Sequence, residues 1–372
     1  MRNMDNLEEL ALLLIREKSE NPPGNEEGVA DLIKSKLKNY LPYKEIRTGD
    51  RRINLIFGQG KKIVFNGHMD TVPVGKNWTH NPDGEILNGK IYGRGASDMK
   101  GAIASLIIAI EEIVDEGQKD KLNNFKFAFV ADEEEGGYLG TRKILDELDA
   151  KYGVVMEGSV FNGSICYRPG IRGTLWLELI SKGRSAHASD PELGENAVMN
   201  LAELLIALKN IKLNFKKHAF LPDPTIALGT TFHGGEKVNV IPDTAISTID
   251  IRTIPSMKSD EVIMKIKNEI KKIGKEIDVN IIHEVPPAEI PLDSWIISLV
   301  KKATFDTIGK YPELRGGKGS NDANYMIFKG IETVVFGPGD FSSDRAHGND
   351  EHIPIERLIK FKYLYRRMLE YA

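Results

Sequence analysis

The chain has 372 residues, 41% of them hydrophobic and 28% charged, with a formal net charge of −4. That is an ordinary globular composition, and the length predicts two domains rather than one core. With no basic surplus, nucleic acid and anionic membrane are excluded as main partners, and no run approaches the roughly 18 uncharged apolar residues of a membrane span.

The first element in chain order is "NLEELALLLIREKSENPPG". Its apolar stretch is short and flanked by Glu8, Glu9 and Arg16. It predicts an amphipathic helix stopped by Pro22 and Pro23 rather than a secretory leader. The single cysteine, Cys166, cannot form an internal disulfide, which fits a reducing cytoplasm. Two glutamines beside abundant Ile, Lys and Glu resemble a thermophile's composition.

Apolar strands are predicted at 62–66, 125–130 and 153–156. Between the first two lies "KGAIASLIIAIEEIVDEG", a mostly buried helix ended by Gly117. "ETVVFGPG" is a further strand, and a terminal helix is expected from about Ile355. Strands alternating with helices indicate a mostly parallel sheet covered on both faces. The middle of the chain reads differently. From Gly173 the order is strand, helix, strand, strand, helix, strand, the βαββαβ order of a ferredoxin-like unit. Pro169–Gly170 and "VPPAEIP" are the expected hinges. The expected division is therefore a domain of residues 1–168 and 289–372, with a small α+β domain inserted at 169–288.

Charged residues gather where the apolar strands end. The stretch "KIVFNGHMDTVP" stops on His68 and Asp70, and "FKFAFVADEEEGG" on Asp132, Glu133, Glu134 and Glu135. "GVVMEG" ends at Glu157, and "VVFGPG" leads into a loop holding His347. Asp98 lies in "IYGRGASDMKG", just before the buried helix. In open α/β sheets ligands bind outside the carboxyl ends of the strands. Acidic groups crowded there repel one another and call for a cation. Histidine and carboxylate ligands without cysteine suit Zn²⁺, Co²⁺ or Mn²⁺. Any one of these features has a commonplace reading as a loop histidine or a solvated acidic turn. Their coincidence at successive strand ends points to a site.

The motifs "NGHMDTVP", "GRGASDMKG", "ADEEEGG" and "FGPG…AHGNDE" resemble those of the dinuclear-zinc amidohydrolases and peptidases. That family includes acetylornithine deacetylase, succinyl-diaminopimelate desuccinylase, aminoacylase and glutamate carboxypeptidase, and the resemblance covers nearly the whole chain in order. It implies an α/β catalytic domain with an inserted lid and dimerisation domain. It also implies two divalent metal ions per subunit, foremost zinc, with cobalt or manganese as alternatives. Asp98 would bridge the ions, His68 and Glu157 completing one and Glu134 and His347 the other. Asp70 would hold His68 from behind, and Glu133 would be the general base. From the inserted domain, His187 in "GRSAHASDPELGENA" would reach the partner subunit's active site. Asn239 would contact substrate, Arg252 would fork onto its carboxylate, and Ser320 would line the pocket.

The activity so implied is removal of the acyl group from an N-acyl amino acid by a metal-bridged hydroxide, in a cytoplasmic homodimer. A metallo-carboxypeptidase or dipeptidase is the alternative; a non-catalytic ligand-binding relative or a nucleotide-binding protein stands further off. Three positions depart from the family pattern. Glu157–Gly158–Ser159 stands where many deacylases have Glu-Pro-Thr, Ile171–Arg172 where desuccinylases have paired arginines, and "GSNDANY" where others have a "GTDAR" type of loop. His80, His218, His233, His283 and His352 are read as structural or surface residues.

Overall fold

The computed structural model describes residues 2–372, with side chains described from Asn6 onward. In chain order the main elements begin with α1 (Arg2–Arg16), α2 (Glu27–Leu37), β1 (Tyr43–Gly49), β2 (Arg52–Phe57) and β3 (Ile63–His68). They continue with α3 (Gly101–Asp115), β4 (Phe125–Val130), α4 (Thr141–Leu148) and β5 (Tyr152–Gly158). Next come β6 (Gly173–Lys182), α5 (Ala197–Leu208), β7 (Thr225–Gly234), β8 (Thr244–Thr253), α6 (Ser259–Ile273) and β9 (Ile277–Val285). The chain ends with α7 (Trp295–Ile308), α8 (Asp322–Phe328), β10 (Glu332–Gly337) and α9 (Ile355–Tyr371). Two compact units result. One comprises Met1–Gly170, Glu289–Arg315 and Asn321–Ala372; the other comprises Ile171–Ala288 and Gly316–Ser320.

The first unit is built on a six-stranded sheet of order β1-β2-β4-β3-β5-β10. The four strands β4, β3, β5 and β10 run parallel, while β1 and β2 form an antiparallel hairpin at one edge. Every residue of β3 and of β5 is buried, as a parallel strand covered on both faces requires. Helices α1, α2, α3, α7 and α9 share one apolar core with alternate residues of the strands, among them Phe65, Phe127, Val154, Met156, Val334 and Phe336. Phe65 packs edge-on against Tyr365 of α9, ring centroids 5.7 Å apart. Helices α4 and α8 lie against the sheet's other face. The hairpin β1–β2 has no counterpart in the sequence reading. Strand β1 reads "YKEIRTG", is mostly exposed and carries no apolar alternation to announce it.

The second unit is an antiparallel sheet of order β7-β8-β6-β9, the strand order of the ferredoxin-like unit. Leu175, Leu177 and Leu179 alternate along β6 into a core with Leu201, Leu204 and Leu208 of α5 and Val262, Ile266 and Ile270 of α6. The intervening Trp176 faces the other way and stacks on His283, centroids 4.7 Å apart. That is the one-sided pattern of an antiparallel sheet.

One expectation is corrected. Helix α1 stops at Arg16, well before Pro22. The chain beyond it is drawn into pairing with the end of β3. The backbone N–H of Thr71 donates to the Ser19 carbonyl at 3.0 Å, and that of Asn21 to the Thr71 carbonyl at 2.8 Å. A tertiary partner, not the prolines, ends the helix. Among the described residues no helix is long and apolar enough to cross a membrane.

Candidate metal centre

The carboxyl ends of the parallel strands in the first unit all reach the same edge of the sheet, and there the charged residues of the motifs converge. Ligand-capable atoms of His68, Asp98 and Glu134 lie within 4.8 Å of one another, and so do those of His68, Glu133 and Glu157. Asp98 is presented by the irregular turn Ala96–Lys100 that feeds α3. His68 Nε2 is 3.1 Å from Asp98 Oδ1, and His347 Nε2 is 3.2 Å from Asp98 Oδ2. One carboxylate thus offers one oxygen to each imidazole. His347 Nε2 also lies 3.1 Å from Glu134 Oε2. His68 is almost fully buried, whereas the His347 side chain is 52% exposed, so one side of the cluster is open to solvent.

Asp70 is built into this cluster differently from the expectation. The nearest partner of His68 Nδ1 is the Asp70 main-chain carbonyl, at 2.9 Å. The Asp70 carboxylate is 3.6 Å from the same nitrogen, too far for a hydrogen bond. Its oxygens instead accept the backbone N–H groups of Glu133 and Glu134, each at 3.1 Å, and Asn21 Nδ2 at 2.9 Å. Asp70 therefore orients the acidic turn as well as the imidazole.

Further residues complete the surround, and the sequence reading did not single them out. Glu351 is fully buried and accepts Arg94 Nη1 at 2.6 Å and the backbone N–H groups of Gly95, Ser97 and Asp98 at 3.2, 2.9 and 3.1 Å. It stands four residues after His347 in "AHGNDE", so one loop both carries a histidine and clamps the turn that presents Asp98. Asn321 caps α8 and donates through Nδ2 to Glu157 Oε2 at 2.9 Å. Asn21 also reaches Asp132 at 3.2 Å, which Arg52 Nη2 pairs at 2.8 Å. The signal for Glu351 lay inside a quoted motif. Asn21 and Asn321 gave none, because an asparagine announces its partner only once the chain is folded.

His187, Asn239 and Arg252, expected from the inserted segment, lie in the second unit, and so does Ser320, which the expected division put in the first. His187 is exposed, its Nδ1 at 2.7 Å from Ser189 Oγ. Its strand segment pairs with Val240, and Ala188 N donates to the Asn239 carbonyl at 3.0 Å. Arg252 donates to Thr174 Oγ1 at 2.7 Å and Asp250 Oδ2 at 2.8 Å, and Thr174 Oγ1 is 2.8 Å from Ser320 Oγ. Arg252 and Ser320 are thus joined through one threonine.

The donor set suits a divalent cation. Burial raises Glu157 to about 7, with the Asp98 charge adding to it, and its Oε1 is buried without a hydrogen-bond partner. Burial and then the charge of Glu157 push Glu133 well above the usual carboxylate range. Burial also pushes Asp98 up, but its hydrogen bonds with His347 and His68 outweigh that and hold it well down. The same kind of contact, from Asp98 and Glu134, raises His347 to about 10. Carboxylates crowded this closely in a low-dielectric site are each short of positive charge. Hard oxygen and imidazole donors without thiolate are the set that zinc, cobalt or manganese accept.

Two outcomes follow from this geometry. Metal must displace the imidazole protons, since only neutral histidine ligates. With His68 and His347 both raised, loading at pH 8 is expected to release about two protons per chain and to tighten as pH rises. Calorimetric titration with Zn²⁺ in buffers of different ionisation enthalpy measures this, and heats independent of the buffer would contradict it. Replacing Glu351 by Gln turns one of its two acceptor oxygens into an NH2 donor that faces a main-chain N–H in the same turn. Co²⁺ affinity, followed by the visible d–d absorption, is expected to fall about 10- to 100-fold; unchanged affinity would contradict the clamp.

Comparison with known proteins gives these residues a context. The profile of peptidase family M20/M25/M40 matches residues 64–371. An uncharacterized metallohydrolase of Methanocaldococcus jannaschii is 30% identical over 419 aligned positions, spanning 99% of this chain and 100% of that one. The succinyl-diaminopimelate desuccinylase of Hydrogenovibrio crunogenus is 28% identical, spanning 97% of each chain. Among solved structures, an M20-family metallo-carboxypeptidase of Sulfolobus solfataricus superposes with a TM-score of 0.78 at 20% identity, over 97% of each chain. The chain belongs to peptidase family M20/M25/M40 and is a metal-dependent hydrolase of peptides or acyl amino acids.

Proposed function

We propose that this protein removes the acyl group from an N-acyl amino acid, using two zinc ions per subunit. His68, Asp98 and Glu157 would hold one ion, and Asp98, Glu134 and His347 would hold the other. The observation that carries the reading is Asp98, with one oxygen turned to each histidine and Glu133 and Glu157 alongside. When bound, the metal pair supplies Lewis-acid polarisation of the amide carbonyl and acidifies a water molecule.

The chain's own residues do the rest. Glu133 is the base that takes the proton of the attacking water and passes it to the departing amine. Its environment suits that traffic, because burial and the charge of Glu157 raise its affinity for a proton. Asp70 holds the Glu133 and Glu134 backbone in place and steadies the ring of His68 through its own carbonyl. From the second unit His187 donates to the developing oxyanion of a partner subunit's substrate. Asn239, Arg252 and Ser320 contact the substrate, Arg252 keeping N–H donors beyond the two used on Thr174 and Asp250.

The same reading makes the protein a cytoplasmic homodimer assembled through the second unit. Supporting this, β7 is an edge strand with Phe232 exposed, and Met199 and Ile206 of α5 are 63% and 71% exposed. Apolar side chains beside a free strand edge favour strand addition by a second copy.

The test is release of free amine from N-acetyl and N-succinyl amino acids and from dipeptides, with Zn²⁺ or Co²⁺ and with chelator. Chelator-sensitive hydrolysis of the acyl amino acids is expected. Hydrolysis confined to peptides would replace this reading with a carboxypeptidase or dipeptidase. Glu133→Gln should keep both metals while turnover falls about 10²- to 10⁴-fold. Near-normal turnover in that variant would remove Glu133 from its role.

A further inference from the structure

The acidic turn leaves β4 by an unusual step. Asp132, directly before Glu133, has φ 68° and ψ 13°, in the left-handed region. A residue other than glycine keeps that conformation where its surroundings impose it. Here its own side chain is the handle. Asp132 is buried, and three donors converge on its carboxylate. Oδ1 accepts Arg52 Nη2 at 2.8 Å and Asn21 Nδ2 at 3.2 Å, and Oδ2 accepts the Leu139 N–H at 2.9 Å. Its carbonyl accepts the Gly137 N–H at 2.6 Å. The residue before the base is thus pinned by side chain and main chain together.

Arg52 is the hub of this arrangement. It stands on β2, the neighbour of β4 in the sheet, and is 6% exposed. Nε lies 3.0 Å from Glu26 Oε2, and Glu26 is fully buried. Nη1 donates to Asn21 Oδ1 and to the Pro23 carbonyl, each at 3.1 Å, and Nη2 takes Asp132. The guanidinium lies against Gly24, where a β-carbon would fall 1.7 Å from Nη1, so glycine makes the room. Asn21 donates in turn to Asp70 at 2.9 Å, whose oxygens accept the backbone N–H groups of Glu133 and Glu134. Arg52 therefore bears on the Glu133 backbone by two routes, one through Asp132 and one through Asn21 and Asp70.

Stability alone does not call for such a group. A buried ion pair contributes little that apolar side chains of the same volume would not match or exceed. A planar fork is needed where several oxygens must be fixed relative to one another, which a lysine, as a point charge, does not achieve. We propose that Arg52, backed by Glu26, is a positioning residue: it holds Asp132 in its left-handed conformation and so aims Glu133. The proposal rests on the hydrolase reading above, in which Glu133 is the base.

The experiment is a double-mutant cycle on Arg52→Lys and Asp132→Asn, read by kinetics and by hydrogen–deuterium exchange. Lysine keeps the charge without the fork, and asparagine tolerates the left-handed region without the charge. With zinc saturating, each single variant is expected to lose about 10- to 100-fold in kcat while KM moves less than about threefold. The double variant should be within about threefold of the slower single one, because both changes break one contact. Losses that multiply, or that appear in KM with kcat kept, overturn the proposal. Exchange is followed in the metal-free protein, where activity plays no part. In Arg52→Lys the segment 131–140 should exchange about tenfold faster or more, while α3 and β10 keep their rates. Unchanged exchange in that segment, or faster exchange everywhere, makes Arg52 a general stabiliser and overturns the proposal. A turn loosened only locally in Arg52→Lys, with no amide hydrolysed by the wild type, sustains the hold on the turn and defeats the hydrolase reading instead.

Discussion

Everything in the first unit answers to the repulsion among carboxylates gathered at one end of a sheet. Asp98, Glu134 and Glu157 are turned inward, where burial favours their neutral forms. A protein does not keep such a group of acids buried for stability, because each would be better placed in water. Two imidazoles offset part of the charge, and a bound metal cation would offset more. The fold must therefore be rigid enough to hold the acids together before the cations arrive.

That rigidity comes from backbone donors more than from side-chain pairs. Glu351 takes three main-chain N–H groups from the turn that presents Asp98, and Asp70 takes two from the turn that presents Glu133 and Glu134. A carboxylate accepting several backbone N–H groups fixes the loop's path and not merely one rotamer. The two locking acids also tie separate segments together, since Glu351 follows His347 and Asp70 follows His68. Each histidine and the acidic loop across from it are positioned by the same stretch of chain. Parallel strands make this economical, because their carboxyl ends deliver all these segments to one edge.

The arginines show how the same electrostatics sorts residues by role. Those that stabilise the surround are paired with buried acids: Arg52 with Glu26 and Asp132, Arg94 with Glu351.

The sequence by itself determined the fold class and which side chains make the candidate metal centre. Buried parallel strands must be apolar along their whole length, so a charged residue at a strand end stands out, as His68, Glu134 and Glu157 do. The βαββαβ order of the second unit was legible for the same reason, its strands alternating and its helices amphipathic. Tertiary structure alone decided the edge hairpin β1–β2, whose exposed strand has no pattern to read, and the early end of α1, which pairing with Thr71 imposes. It also decided that Asp70 serves the backbone of Glu133 and Glu134, and that Asn321 holds Glu157. Those assignments depend on which segments lie opposite one another, a matter of register and packing between residues far apart in the chain, whereas polarity and periodicity are local and so remain visible along it.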